Sequence, residues 1–174
     1  MTFPIIVTAL IGDPDFAYLD NLRREHFPPE RNHLRAHLTM FHHLPPSCEA
    51  ELLQLLKDEA RGNLPAARLS GLINLGGGVA FRVESLDLDD IRARIAERFA
   101  PMLMPQDRNP WRAHVTIQNK VKAPEAQALF EQLNANFRPR AFALSGLAAW
   151  WYRGGPWEPL AAFAFKTGQV LKLR

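Results

Sequence analysis

A chain of 174 residues has room for one sizeable domain or two closely joined lobes. Its 47 % hydrophobic and 22 % charged residues are those of an ordinary globular protein, and no uncharged apolar run is long enough to span a membrane. A net charge of +3, carried by 16 Arg and 5 Lys, is too small to name a nucleic-acid partner, and a single cysteine, Cys48, excludes an internal disulfide.

The N-terminus, Met1-Thr2-Phe3-Pro4-Ile5-Ile6-Val7, lacks the basic start of a signal peptide, so residues 3–10 are read as a first strand and the protein as cytoplasmic. Asp13 and Pro14 then predict a helix start, with Asp13 as cap and Pro14 at the first helical position. Phe16, Leu19 and Leu22 give that helix an apolar side, and Phe27-Pro28-Pro29 ends it. A loop with Glu30, Arg31 and His33 leads to a strand over 35–43. Ser47 is placed to cap the next helix, whose core stripe is Leu52, Leu53, Leu55, Leu56 and Ala60. Residues 66–75 read as a strand, Gly76-Gly77-Gly78 as a turn, and Val79, Phe81 and Val83 as the inward side of another strand. Asp87 opens a helix with Leu88, Ile91, Ile95 and Phe99 inward; a proline-rich loop over 100–110 follows. A strand over 112–121, a helix over 124–137 and two strands over about 141–152 and 157–166 complete the chain.

Two segments recur. Arg35-Ala36-His37-Leu38-Thr39-Met40 returns 77 residues later as Arg112-Ala113-His114-Val115-Thr116-Ile117, and Leu69-Ser70-Gly71-Leu72 returns 75 residues later as Leu144-Ser145-Gly146-Leu147. Two matches in one order at nearly one offset indicate a duplication, which must be weighed before any local reading. Each half reads strand–helix–strand–helix–strand, the first lobe over about 1–76 and the second over about 77–174 of a single bilobal domain. On a strand, residues two apart share a side. His37 then stands beside Thr39, and His114 beside Thr116, while Leu38, Met40, Val115 and Ile117 turn inward. Packed about a pseudo-twofold axis, the two pairs would face each other across a groove.

By the same alternation Phe41, Gln118 and Lys120 fall on the histidine side, as candidates for stacking on a base and attracting phosphate. The cluster His33, His37, His42 and His43 suggests a metal site, but His42 points away from His37 and no carboxylate or cysteine partner is close by, so no metal is expected. Trp111, Trp150, Trp151, Tyr152 and Trp157 are read as core, with one of them walling the groove. Arg35 and Arg112 are structural or steer phosphate.

Two His-x-Thr-hydrophobic motifs in a chain of this size resemble the two-histidine (2H) phosphoesterase superfamily, within it the bacterial 2′-5′ RNA ligase or RNA 2′,3′-cyclic phosphodiesterase group. The likeness covers nearly the whole chain. It departs at the fourth motif residue, often Leu in the family and here Met40 and Ile117. The resemblance implies an α+β fold of duplicated β-α-β-α-β lobes, with antiparallel sheets lining a central groove and helices outside. It implies hydrolysis of a 2′,3′-cyclic phosphate on an RNA end or nucleotide, with His37, Thr39, His114 and Thr116 at the matching positions; independence from metal and cofactor and action as a monomer are separate expectations. His37 would be the acid on the leaving O3′, His114 the base for water, and the product a 2′-phosphate; the residues themselves do not fix that direction. A non-catalytic RNA-end or nucleotide-binding module and a 2′-5′ RNA ligase running the chemistry backwards are the competing readings.

Overall fold

The computed structural model describes residues 3–173. Eight strands form two antiparallel four-stranded sheets. The first has the order β2-β1-β7-β8, from β1 (Ile5–Ile11), β2 (Leu38–Leu44), β7 (Leu144–Trp151) and β8 (Glu158–Ala164). The second has the order β5-β4-β3-β6, from β3 (Arg68–Asn74), β4 (Val79–Glu84), β5 (His114–Gln118) and β6 (Arg140–Ala141). The duplication is visible in these orders: β2-β1-β7 corresponds to β5-β4-β3. The third strand of each half is exchanged, however. β3, from the first half, lies in the second sheet, and β7 and β8, from the second half, lie in the first. The sheets therefore do not follow a boundary near residue 76.

The helices exchange as well. α1 (Asp15–His26) packs against β5, and its Tyr18 meets the edge of Phe81 on β4. α5 (Ala123–Asn134) covers the same sheet along β3 and β4. α2 (Glu49–Ala60) lies on β7 and β8, with α3 (Leu86–Arg98) tied to it by Arg94–Glu59 and Arg98–Glu51. Each half thus sends its first helix, α1 or α3, to the sheet that holds the other half's His-x-Thr strand. The stripes Leu52, Leu56 and Ala60 on α2 and Leu88, Ile91 and Ile95 on α3 are buried in one shared core with Phe99, Phe41 and Leu147.

Three helix starts differ from expectation in detail. α1 begins one residue late, at Asp15, with Pro14 before it and no side-chain cap; Asp15 instead binds Arg140 and accepts from the Ala143 amide at 2.8 Å. Ser47 lies in a 3-10 turn, so the residue before α2 is Cys48. Ser85, not Asp87, caps α3, its hydroxyl accepting from the Leu88 amide at 3.1 Å; Asp87 accepts from the Ala66 amide across the lobe. The 100–110 segment contains a 3-10 turn and a one-turn helix, α4 (Pro105–Arg108). The glycine turn before β4 is sterically required at Gly78, where a Cβ would collide with the Gln118 carbonyl.

Irregularities in the ladders repeat too. Between β1 and β2, Thr8 pairs with Thr39 but Val7 with Phe41; between β4 and β5, Ala80 pairs with Thr116 but Val79 with Gln118. Each His-x-Thr strand therefore carries an extra residue directly after its Thr. In the third strands, Leu69 and Gly71 pair with Val83 and Arg82, and Leu144 and Gly146 with Ile11 and Leu10. The repeated Leu-Ser-Gly-Leu is a bulge, placed identically in both sheets.

Candidate active site

β2 and β5 are the edge strands by which the two sheets meet, so the two motifs come together at the seam. β5 begins at His114, and β2 begins one residue after His37. Both imidazoles are oriented in the same way. The Nδ1–H of His37 donates to the Arg35 carbonyl at 2.7 Å, and that of His114 to the Arg112 carbonyl at 2.8 Å. The repeated Arg-x-His thus supplies a backbone acceptor two residues upstream. This bond places the proton on Nδ1 of the neutral ring and leaves Nε2 for a substrate. Thr39 and Thr116 are half-buried on the same side of their strands, while Leu38, Met40, Val115 and Ile117 are fully buried opposite.

The strand ends are held from outside. Arg23 on α1 donates to the Thr116 carbonyl at 3.0 Å and to Asn32 at 2.8 Å, with its guanidinium 4.2 Å over the Phe27 ring. Arg92 on α3 donates to the Met40 carbonyl at 3.1 Å and the Asp107 carbonyl at 2.8 Å, over the Phe41 ring. Trp111 donates its indole N–H to the Thr39 carbonyl at 3.0 Å. Burial lowers the Arg23 pKa to about 10 against the pull of Asp20, which keeps it a cation.

The surroundings of the two histidines differ. The His37 ring packs edge-on against Trp157, centroids 4.7 Å apart, and lines a cavity of about 420 Å³ with Thr8, Leu10, Arg35, Trp150 and Trp157. Burial pushes its pKa down to about 4, against the carbonyl of Arg35, and the charges of Arg23, His114 and His42 push the same way. The effect of His114 on His37 is what two imidazoles sharing one site produce. On the other sheet, Arg82 is the register partner of His114, and a cleft of about 950 Å³ extends past Arg112 and Arg68.

Three expected groove residues stand elsewhere. The bulge after Thr39 turns Phe41 inward, where it is wholly buried under Arg92 and closed to a base. The equivalent bulge buries Gln118, whose Oε1 has no hydrogen-bond partner among the described residues. Lys120 lies beyond the end of β5, exposed in a turn at φ 64°, so alternation does not apply to it. His42 does have a carboxylate neighbour, contrary to expectation. Asp107, 65 residues on, accepts from its Nδ1 at 3.0 Å and from the His42 and His43 amides at 2.9 Å each. Among the described residues no group of three or more His, Cys, Asp or Glu is arranged to hold a metal ion. Of the aromatic set, Trp157 and Trp150 wall the His37 cavity, Trp150 donating to the Thr8 hydroxyl at 2.9 Å.

Comparison with known proteins bears on the family and the fold. The family model described as the 2′-5′ RNA ligase superfamily matches residues 12–156. None of the curated proteins matches. Among solved structures, TT0787 of Thermus thermophilus is similar with a TM-score of 0.63 at 19 % identity, over 95 % of this chain and 98 % of that one. E. coli LigT complexed with 3′-AMP is similar with a TM-score of 0.57 at 18 % identity, over 95 % and 99 %. LigT complexed with NADP+ gives 0.56 at 18 % identity, over the same shares. At these identities the likeness is one of fold.

Proposed function

The chain belongs to the 2′-5′ RNA ligase superfamily, and on that premise we propose that it hydrolyses a 2′,3′-cyclic phosphodiester on an RNA end or nucleotide, without a metal, by two histidines. The observation that carries this reading is the paired Nδ1–carbonyl bond. Binding alone does not call for two imidazoles with tautomers fixed alike and Nε2 atoms free at one seam; transfer of two protons does.

Hydrolysis needs water deprotonated on one side of phosphorus and the departing oxygen protonated on the other. A neutral imidazole accepts the first proton at Nε2, and a protonated one donates the second. The Thr39 and Thr116 hydroxyls donate to the non-bridging oxygens as charge builds there. The ribose keeps the phosphate on whichever oxygen does not depart. Both His-x-Thr motifs come from one chain, so the reading needs no second subunit to complete the pair.

Two directions are open. The family resemblance gives His37 the acid's part and a 2′-phosphate product. The depressed pKa of His37 favours the opposite start, with His37 neutral at pH 7 and so placed to act as the base. A bound phosphate anion raises the affinity of His37 for a proton, so the state in complex decides. The test is turnover of adenosine 2′,3′-cyclic phosphate in EDTA, with the product identified as the 2′- or 3′-phosphate. Hydrolysis that survives chelation is expected. A folded protein that binds this nucleotide without turning it over would instead establish the binding module. Joining of a 5′-hydroxyl RNA to a cyclic-phosphate end, without net hydrolysis, would establish the ligase.

A further inference from the structure

The repeated bulges set up two matching rows of residues, one beside each histidine. In the second sheet Gly71, Arg82 and His114 are register partners across three adjacent strands. Cross-strand partners project from the same face, with their Cβ atoms about 5 Å apart. In the first sheet the corresponding row is Gly146, Leu10 and, one rung beyond the last pair of β1 with β2, His37. An arginine on one side stands where a leucine stands on the other. β4 lies on the far side of β5 from β2, so Arg82 is outboard of His114 and not between the two histidines.

The space around Arg82 is open. A Cβ on Gly71 would meet nothing within 4 Å, so the third place in the row is vacant. Arg82 is exposed and makes no ion pair among the described residues, and the same holds for Arg112. Both line the 950 Å³ cleft. The cleft also contains Arg68, Glu84, Asp87 and Asp89. Arg68 and Glu84 are register partners with no ion pair between them among the described residues, Asp87 accepts from the Ala66 amide, which does not cancel its charge, and Asp89 lies on α3, so carboxylates stand along the cleft with its arginines. Arg82, the register partner of His114, and Arg112, two residues before it, are the arginines of the cleft that belong to the His114 strand and its neighbour. The other arm of the groove, around Trp150, Trp157 and Phe16, suits the flat apolar face of a base.

From this asymmetry we infer that the cleft outboard of His114 is a second anion subsite, in which Arg82, assisted by Arg112, holds a phosphate other than the one that reacts. The ligand class is a nucleotide bearing a phosphate at each end of its ribose, as an RNA chain does. This rests on the function proposed above, and the test separates the two. Affinity is measured by calorimetry for adenosine 2′,5′-bisphosphate and adenosine 2′-phosphate, which need no turnover. The unaltered protein should prefer the bisphosphate by roughly tenfold, the scale of one charge-assisted hydrogen bond. Arg82→Gln should bring the ratio close to one, and Arg82→Lys should restore part of it. Arg112→Gln should reduce it by a smaller factor. A ratio near one in the unaltered protein overturns the inference, and so does a ratio that Arg82→Gln leaves intact. Preference for the bisphosphate without hydrolysis of the cyclic nucleotide would leave the subsite standing and sink the phosphodiesterase.

Discussion

His37 and His114 make the same hydrogen bond in different company, and their chemistry should diverge accordingly. Replacing either with Ala should cost roughly 10²–10⁴-fold in kcat on adenosine 2′,3′-cyclic phosphate. The double variant should lose less than the product of the two, because the pair acts as a unit. A folded single variant with full turnover would remove the two-histidine mechanism. The pKa of His37, pushed down to about 4, makes a separate prediction. The folded value lies below the unfolded value of about 6.5, so between them the unfolded chain binds more protons. Stability contributed at neutral pH is therefore lost as pH falls from about 6.5 to 4. The half-buried ring takes the full effect only in part, because solvent screens it. NMR titration of the His37 ring should give a midpoint below 6.5 in the free protein and a higher one with adenosine 2′-phosphate bound. A free midpoint near 6.5 would withdraw the argument that His37 starts as the base.

Strand β2 shows how a motif strand is fixed by an element far away in sequence. Asp107 on α4 is 1 % exposed and accepts from the His42 ring and from two consecutive β2 amides. Burial alone would raise its pKa, but those donors outweigh it and hold the carboxyl below the ordinary value. Its contribution is present above the unfolded pKa of about 3.9 and is lost as pH falls through the lower folded value. Asp107→Ala should cost about 3 kcal/mol in urea denaturation, the scale of a buried charged acceptor withdrawn from its donors. A loss under about 1 kcal/mol would mean that Arg92 and Trp111 hold β2 without it. This tie was not legible in the sequence, because Asp107 sits in a proline-rich loop 65 residues from His42. The His-x-Thr pairs, the helix stripes and the strand order within each half were legible, since they depend on local periodicity and repetition. Phe41 and Gln118 were misplaced because one extra residue after each Thr reverses the alternation. A glycine inside a strand pattern is the usual sign of such a bulge, and the repeated Ser-Gly of the third strands carried it. The bulges after Thr39 and Thr116 have no glycine to announce them.

At the scale of the molecule, strand exchange makes the two halves depend on each other. β1 has β2 from its own half on one side and β7 from the other half on its second side. α1 covers the sheet that holds β5, and Arg23 and Arg92 each bind a carbonyl in the other half's motif strand. Neither half can keep its sheet while the other unfolds: loss of the second half removes β7 and β8 and exposes Val7 and Ala9, and loss of the first removes β3 from beside β4. Two side-by-side lobes drawn from residues 1–76 and 77–174 could melt separately, whereas this topology predicts one cooperative transition. The tryptophans offer a direct check. Trp111 precedes β5 and its indole donates to the Thr39 carbonyl of β2, so it reports on the seam, and Trp150, Trp151 and Trp157 report on β7 and the start of β8. A Trp111→Phe variant leaves reporters only on the first sheet, and a triple Phe variant at 150, 151 and 157 leaves one at the seam between the two sheets. Each variant, followed in urea by fluorescence and by far-ultraviolet circular dichroism, should give a single midpoint shared by both probes. A fluorescence midpoint displaced from the dichroism midpoint in either variant would show one sheet surviving the other. The exchange also predicts that residues 1–76 expressed alone remain unfolded, because β1 would lack β7 and β3 would lack β4. A cooperative melt from that fragment would mean that the first half can stand alone, with the exchange adding stability and no interdependence.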